Sequence, residues 1–203
     1  LAIAEHVLVT QINTPIVEQI RDEKHKAMGL HSLGSCAVFA TRLFLEVEDE
    51  QGNSRRVDIG QVGDVEWVNA ALLHALVEAR IIPVIAPIAR DRMGGKLNVN
   101  ADSVAGHVAA ALHAQKLVLV SDTHGIRTGD TDETLVSSLT RDQIEQLVRD
   151  GVISSGMLPK VESCFTALNG NVAKAHIIDG SIQHALLLEI YTDEGIGTEI
   201  TLS

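Results

Sequence analysis

The feature that most constrains this fold is a pair of short aliphatic runs without alternating polar residues. They are residues 81–88 (IIPVIAPI) and 117–120 (LVLV). A strand that is apolar on both sides is buried on both faces, which is typical of parallel sheets covered by helices. Segments with apolar residues at helical spacing, such as 69–79 and 103–112, alternate with such runs. The pattern predicts an α/β fold class, with a parallel or mixed sheet that helices cover on both faces.

Periodicity and turn residues divide the rest of the chain. The predicted helices cover residues 1–12, 14–21 and 69–79, segments from about 102 and from 140, and residues 161–168 and 182–191. The predicted strands cover 27–30, 35–47, 55–59, 81–88, 116–122, 174–180 and 197–202. Strands 35–47 and 55–59 flank the polar, glycine-containing turn 48–54, which predicts a hairpin. Thr14 is expected to cap the second helix, ahead of Pro15. No repeat, low-complexity tract or linker is found, so a single domain over 1–203 is expected.

Composition excludes several classes of protein. The 203 residues are 45% hydrophobic but only 2% aromatic, so the chain can bury a large, aliphatic core. A net charge of −11 argues against nucleic acid or anionic membranes as partners. Cys36 and Cys164 stand too far apart to indicate a zinc site or a disulfide framework, which fits a reducing cytoplasm. Neither a membrane span nor a signal peptide is predicted.

The segment Asn98-Val99-Asn100-Ala101-Asp102 is the strongest local indication of a site. Residues two apart on a strand share a face, so Asn98 and Asn100 can offer amide donors to one ligand. Asp102 then falls at the start of the next helix. Ligands of open α/β sheets bind at the carboxyl ends of strands. The alternative interpretation is that Asp102 is only an N-cap and that the asparagines are turn residues.

Two glycine-containing segments are further candidates. Gly125 would let the backbone approach a ligand closely, although a simple β-turn explains it equally well. Residues 151–160 combine two glycines and two serines with Lys160 at a helix start. A lysine there opposes the helix dipole, which suggests a role such as holding a phosphate; a solvated surface lysine is the alternative. The Walker and Rossmann glycine motifs are absent from the sequence.

The nine histidines give no metal site, because no pair has convincing ligand spacing. His176 and His184 lie in apolar segments and are interpreted as satisfied core histidines. No serine, histidine and acid constellation follows from the spacing either.

Five ordered motifs resemble the acetylglutamate kinases of the amino acid kinase family. They are VDIGQVGDV (57–65), NVNAD (98–102), LVLVSDTHGI (117–126), SGMLPKVESC (155–164) and the stretch 176–200, which contains HIIDG and HALLLEIYTDEGIGTEI. The resemblance runs along nearly the whole chain and is weakest between Leu33 and Arg56. It implies an amino acid kinase fold, a three-layer α/β/α sandwich with a mostly parallel central sheet. Residues 1–100 would belong to the acetylglutamate-binding and dimerisation half, and 101–203 to the nucleotide-binding half.

The resemblance also implies an activity: transfer of the γ-phosphoryl group of ATP, with Mg²⁺, to the side-chain carboxylate of N-acetyl-L-glutamate in arginine biosynthesis. Lys160 would neutralise charge on the transferring phosphate, and Asp102 would orient the catalytic lysines. Asn98 and Asn100 would bind acetylglutamate. The residues expected to border the nucleotide are Asp122, Thr123, His124, Gly125, Ile126, Arg127, Val152, Ile153, Ser154, Gly156 and Met157.

The same resemblance suggests regulation and assembly. The ending around Glu194, Gly195 and Gly197 is similar to the arginine-inhibited branch, in which this region helps hold L-arginine. A cytoplasmic homo-oligomer is expected, a dimer or, in a longer arginine-sensitive form, a hexamer. The family's first lysine, glycine-rich loops and substrate arginine lie upstream of the segment that resembles residues 1–13. A longer gene product is therefore expected, with weak or no activity in this chain alone.

Two alternatives remain at this stage. One is another amino acid kinase, acting on glutamate, aspartate, carbamate or a nucleoside monophosphate. The other is a non-catalytic nucleotide-binding or assembly module.

Overall fold

The computed structural model describes residues 1–48, 52, 54–122, 125–127, 134–153, 156–192 and 195–203. Two compact units divide the chain, Leu1–Val104 and Ala105–Ser203. The helices are α1 (Ala2–His6), a π-helical segment (Val7–Asn13), α2 (Thr14–Asp22), α3 (Ala70–Glu78), α4 (Ala101–Ala111), α5 (Arg141–Arg149), α6 (Leu158–Asn169) and α7 (Ala185–Tyr191). The strands are β1 (Lys26–Leu30), β2 (Val38–Glu48), β3 (Ser54–Val68), β4 (Ile81–Ile85), β5 (Ile88–Arg90), β6 (Lys96–Asn98), β7 (Lys116–Ser121), β8 (Ser138–Thr140), β9 (Lys174–Asp179) and β10 (Thr198–Thr201).

The first unit combines a parallel strand pair with a small barrel. β1 pairs in parallel with β4. The long strands β2 and β3 form the antiparallel hairpin that the sequence predicts, and β5 and β6 form a second hairpin. Single register pairs join the two hairpins, Phe39 with Arg90 and Val62 with Asn98, which closes the order β2-β3-β6-β5.

The second unit contains a four-stranded mixed sheet in the order β7-β9-β10-β8. β7 runs parallel to β9, β9 antiparallel to β10, and β10 parallel to β8. Its core is aliphatic, as composition predicts, and contains fully buried Cys164, Ile177 and Ile200. The α/β fold class is confirmed. No helix in the described part of the chain has the length and apolar character needed to cross a bilayer.

The sequence-based boundary at Thr14 is wrong. The chain stays helical from α1 through the π segment into α2, and Thr14 has helical dihedrals, φ −59° and ψ −50°. Its hydroxyl donates to the Val9 carbonyl over 2.9 Å, so it binds the preceding turn and does not cap a new helix. Pro15 supplies no backbone N–H, and a wider π turn accommodates that missing donor without ending the helix.

The apolar run 81–88 also differs from the prediction of one strand. β4 ends at Ile85 and β5 begins at Ile88. Between them, the N–H of Ala86 donates to the Leu30 carbonyl, and Pro87 cannot donate to a ladder. The run therefore supplies one strand to the parallel pair and another to the barrel.

Candidate functional site

Asn98 ends β6, and the chain reaches α4 two residues later. Burial alternates along this stretch, because Leu97 and Val99 are each 3% exposed whereas Asn98 is half-buried and Asn100 is exposed. The alternation puts Asn98 and Asn100 on the same side of the extended chain, as predicted. The N–H of Val99 donates to the Pro87 carbonyl over 3.0 Å, which holds the backbone between the two amides.

The residue that caps α4 is not the one that the sequence suggests. Asn100 Oδ1 accepts a hydrogen bond from the backbone N–H of Ser103 over 3.0 Å, so Asn100 is the residue that caps the helix. Asp102 lies inside the first turn and is half-buried. The helix dipole favours a carboxylate in this first turn. The Asn100 oxygen is committed to the helix, which leaves its amide N–H groups for a ligand.

Asp122 follows the carboxyl end of β7 and is exposed. Gly125 lies in a left-handed conformation, φ +82°, and is buried. A Cβ atom at that position would lie 2.8 Å from Leu135 Cδ1 and 2.9 Å from Thr198 Oγ1. Both the left-handed dihedral and the lack of space for a Cβ atom therefore require glycine at position 125.

Thr198 is the residue that fixes the segment after Gly125, and sequence reasoning did not identify it. Its hydroxyl accepts from the N–H of Ile126 over 2.9 Å and donates to the carbonyl of Val136 over 2.7 Å. Ile126 is 3% exposed and belongs to the core, so only its backbone can face a ligand. Arg127 forms a β-bridge with Leu135 and is half-buried.

Lys160 lies in the first turn of α6, where the sequence predicts it. That turn contains Pro159 and no acidic residue. The positive end of the α6 helix dipole is therefore not neutralised by a carboxylate of the same turn. Met157 precedes the helix and packs against the core. Backbone amides and a lysine together form the arrangement that binds phosphate groups at helix starts.

The segment before α6 divides its side chains between core and solvent. Ile153 is 7% exposed and packs in the core, whereas Val152 is 41% exposed. Gly156 is exposed, with no atom within 4 Å of a Cβ position. The predicted nucleotide residues Thr123, His124 and Ser154 and the predicted effector residue Glu194 lie outside the described residues.

A cavity of about 290 Å³ lies in the second unit, at the end of the four-stranded sheet away from Asp122. Lys116 and Lys174 open β7 and β9, so the cavity adjoins the amino ends of these strands, whereas Asp122 follows a carboxyl end. Gly195 and Gly197, for which the family resemblance implies an effector role, line this cavity. The cavity is therefore separate from the segments predicted to border the nucleotide.

Charged side chains of both signs form a network in the cavity wall. Glu189 Oε1 contacts His176 Nδ1 and lies 3.6 Å from Lys116 Nζ. Glu189 Oε2 accepts from the backbone N–H of Ile196 over 3.1 Å, which secures the segment that contains Gly195 and Gly197. Glu199 Oε1 lies 3.3 Å from Lys174 Nζ and 3.8 Å from His176 Nε2.

Burial lowers the pKa of His176 below its ordinary value, although the neighbouring Glu189 carboxylate acts in the opposite direction. His176 is therefore a core histidine, as the sequence predicts, and Glu189 pairs with its Nδ1; it is not fully satisfied, because its buried Nε2 has no hydrogen-bond partner among the described residues. For His184 that interpretation is wrong. His184 is exposed and precedes α7 in a left-handed conformation, φ +61°. Among the described residues, no group of three His, Cys, Asp or Glu side chains could hold a metal ion.

Comparison with known proteins identifies the class to which this fold and site belong. The family model described as "Amino acid kinase family" matches residues 1–179. An acetylglutamate kinase from Trichlorobacter lovleyi is 45% identical over 201 residues, which span 99% of this chain and 68% of that protein. An acetylglutamate kinase from Methanothermobacter thermautotrophicus is 43% identical over 99% of this chain and 70% of its own length.

A solved structure extends the likeness to three dimensions. The crystal structure of smu.665 from Streptococcus mutans superimposes with a TM-score of 0.76 and 28% identity, covering 98% of this chain and 70% of that one. The chain belongs to the amino acid kinase family, a class of phosphotransferases.

Proposed function

We propose that this protein transfers the γ-phosphoryl group of ATP to the side-chain carboxylate of N-acetyl-L-glutamate, a step of arginine biosynthesis. One observation carries the proposal: the 45% identity to an acetylglutamate kinase extends over 99% of the chain. Both the asparagine segment and the lysine of α6 fall within that alignment. Another amino acid kinase activity would require a different acceptor to fit the same segments.

Phosphoryl transfer to a carboxylate suits the side chains of the candidate site. Phosphoryl transfer to a carboxylate brings two anions together, so catalysis depends on positioning and on cationic stabilisation. Lys160, at the positive end of α6, is the proposed cation for the transferring group. Asn98 and the amide N–H groups of Asn100 are the proposed donors to acetylglutamate, and Asp102 is proposed to orient the catalytic lysines.

The nucleotide would be bordered by the segments around Asp122, Gly125 and Val152. Magnesium is proposed to enter with ATP, because Mg²⁺ is usually held by substrate phosphates and one or two carboxylates. Asp122 fits that need, since it offers an exposed carboxylate at a strand's carboxyl end. Bound Mg²⁺ would supply charge neutralisation between phosphate oxygens.

Binding and turnover are best measured separately. Calorimetric titration of the full chain with Mg²⁺ and a non-hydrolysable ATP analogue, followed by N-acetyl-L-glutamate, is expected to show binding of the nucleotide and weaker binding of acetylglutamate. Lys160→Met should weaken nucleotide binding, whereas Lys26→Met, which removes an exposed lysine of β1, should not. Turnover is then followed by trapping the acyl phosphate with hydroxylamine.

The outcomes distinguish the alternatives. Binding of the nucleotide without acetylglutamate binding would favour a nucleotide-binding module. A demonstrably folded sample that binds neither ligand would contradict the proposed function. Binding of carbamate, aspartate or a nucleoside monophosphate in place of acetylglutamate would move the assignment to another amino acid kinase.

We also propose that the cavity at the amino ends of β7 and β9 binds L-arginine as an effector. Two glutamates line the cavity and could pair with a guanidinium, and two lysines could receive a carboxylate, which suits a cationic amino acid. Glu199 is the more accessible of the two acids, with 27% of its side chain exposed against 3% for Glu189. The neutral analogue citrulline is the matched control ligand. Arginine should bind and citrulline should not, and Glu199→Gln should weaken arginine binding.

A homo-oligomer is proposed as the working state. Leu187, Ile190 and Tyr191 of α7 are 54%, 50% and 80% exposed, and contiguous exposed apolar side chains commonly mark protein interfaces. Light scattering of the purified chain would give the mass directly. A strictly monomeric protein at micromolar concentration would contradict this part of the proposal.

A further inference from the structure

A carboxylate of the first unit is held on both of its oxygens by other segments of that unit. Glu5 of α1 accepts a hydrogen bond from Ser32 Oγ on Oε1, and Lys96 Nζ lies 2.8 Å from its Oε2. The Glu5 side chain is 12% exposed, and Ser32 is fully buried. Burial alone would raise the pKa of Glu5, but the hydrogen bonds from Lys96 and Ser32 outweigh it and lower that pKa. The carboxylate is therefore kept charged and fixed in place.

Arg90 joins this group from β5. Its Nε donates to the Ser32 carbonyl over 3.0 Å, and its Nη2 donates to the same oxygen. Glu5, Ser32, Arg90 and Lys96, called here the Glu5 cluster, thus connect α1, the segment after β1 and both strands of the β5–β6 hairpin. Satisfied polar networks of this kind fix the relative positions of the elements that contribute to them.

The register of the hairpin places Asn98 on the cluster's side. Arg90 pairs with Lys96, and Ile88 pairs with Asn98, in the antiparallel ladder. Directly opposed residues, and residues two apart on one strand, share a face of the sheet. Lys96 and Asn98 therefore project from the same face of a strand that is only three residues long.

Apart from its three-residue ladder with β5, strand β6 has little backbone pairing to hold its position. β6 meets β3 through the single register pair of Val62 with Asn98. The Lys96 ammonium, anchored to Glu5, fixes the other end of the strand, about 7 Å away at the usual rise per residue. A shift of that end would be transmitted along β6 directly to the Asn98 side chain.

We propose that Lys96, anchored by the buried Glu5 carboxylate, is a positioning residue that sets the place of Asn98 for acetylglutamate binding. This inference rests on the proposed function, because it assigns the role of Asn98 as above. Lys96 acts through Asn98 and does not itself touch the acceptor.

The same hairpin offers a matched control. Arg92 lies in the turn between β5 and β6 and pairs with Glu66, but 79% of its side chain is exposed. Exposed ion pairs contribute little to structure. Arg92→Met therefore removes a paired cation from the same hairpin without loosening the Glu5 cluster.

The first test needs no ligand. The side-chain amide resonances of Asn98 are assigned in the full chain with an Asn98→Asp variant, and their positions are compared among variants. Lys96→Met and Glu5→Gln should shift them, Lys96→Arg should restore them, and Arg92→Met should leave them unmoved. Unchanged Asn98 resonances in folded Lys96→Met would overturn the proposal.

The second test measures acetylglutamate binding by calorimetry. Lys96→Met should raise the Kd for acetylglutamate about tenfold, the loss of roughly one well-placed hydrogen bond, while the Kd for the Mg²⁺–ATP analogue stays unchanged. A wild-type chain that fails to bind acetylglutamate contradicts the proposed function, and the resonance test still decides the positioning role. Equal acetylglutamate affinity in wild type and Lys96→Met, or an equal loss of both ligands, counts against that role.

Discussion

At the residue scale, Gly125 shows how one backbone conformation supports the candidate nucleotide segment. Gly125→Ala would force a side chain into a left-handed conformation, at a cost of about 1–2 kcal/mol. The new Cβ would also meet Leu135 and Thr198, and overpacking of this kind adds about 1–3 kcal/mol. Chemical denaturation should therefore show a loss of about 2–5 kcal/mol in the free energy of unfolding.

Gly151→Ala separates the two contributions. Gly151 also has a positive φ, +71°, but no atom lies within 4 Å of its Cβ position. Its replacement by alanine should lower the free energy of unfolding only by the cost of the left-handed conformation, about 1–2 kcal/mol. Equal losses in the two variants would mean that the packing around Gly125 is not tight.

His176 gives the protein a specific pH dependence at the same scale. Its pKa is lowered in the folded state, so the unfolded chain binds a proton more readily as the pH falls below about 6.5. The stability that His176 contributes is complete above that value and is lost as the pH falls through it. The difference in unfolding free energy between wild type and His176→Gln should therefore be larger at pH 7.5 than at pH 5.5.

Urea denaturation at the two pH values measures this difference. His74→Gln, which changes an exposed histidine on α3, is the control variant. A constant difference for His176→Gln would contradict the assignment of a lowered pKa.

At the element scale, Asn13 connects the π-helical segment to the parallel strand pair. Its Nδ2 donates to the Val84 carbonyl over 2.8 Å, and its Oδ1 occupies the space that a Cβ at Gly29 would need. Asn13 is 4% exposed and Val84 is half-buried, so removal of the Asn13 amide leaves the Val84 carbonyl without that donor. Asn13→Ala should lower the free energy of unfolding by about 1–3 kcal/mol.

A double-mutant cycle tests the contact between the two elements. Gly29→Ala alone should be destabilising because Cβ meets Asn13, but in the Asn13→Ala background the same change should cost much less. The coupling should lie within about 0.5–3 kcal/mol, the range for residues in contact. Strict additivity of the two unfolding free-energy changes would show that Asn13 does not limit the space at Gly29.

At the scale of the whole molecule, the chain divides into two compact units, Leu1–Val104 and Ala105–Ser203, and ligand binding can be assigned to each by hydrogen exchange. We expect hydrogen exchange with Mg²⁺ and the ATP analogue to slow mainly within Ala105–Ser203 and acetylglutamate to protect residues near Asn98. Nucleotide at 100 times its Kd should add about 2.7 kcal/mol of stability. For a chain of this size that raises Tm by roughly 5–10 °C.

The matched sample for this prediction is Lys160→Met under identical ligand concentrations, where the Tm increase should shrink. Nucleotide protection confined to Leu1–Val104 would contradict the assignment of the two halves.

Sequence alone predicted the fold class, the β2–β3 hairpin, the face shared by Asn98 and Asn100, and Lys160 in the first turn of a helix. These features are local, because apolar period, turn residues and two-residue spacing are properties of neighbouring positions. Sequence also carried the family resemblance, which the comparisons confirm.

Only the tertiary structure decided what depends on distant partners. Thr14 binds a preceding carbonyl instead of capping a helix, and the run 81–88 divides between two sheets. Thr198 reaches Ile126 across 72 residues, and Lys96 reaches Glu5 across 91. The partner of a single hydroxyl or carboxylate follows no local pattern in the sequence. It is decided by whichever donor or acceptor the fold brings within hydrogen-bond distance.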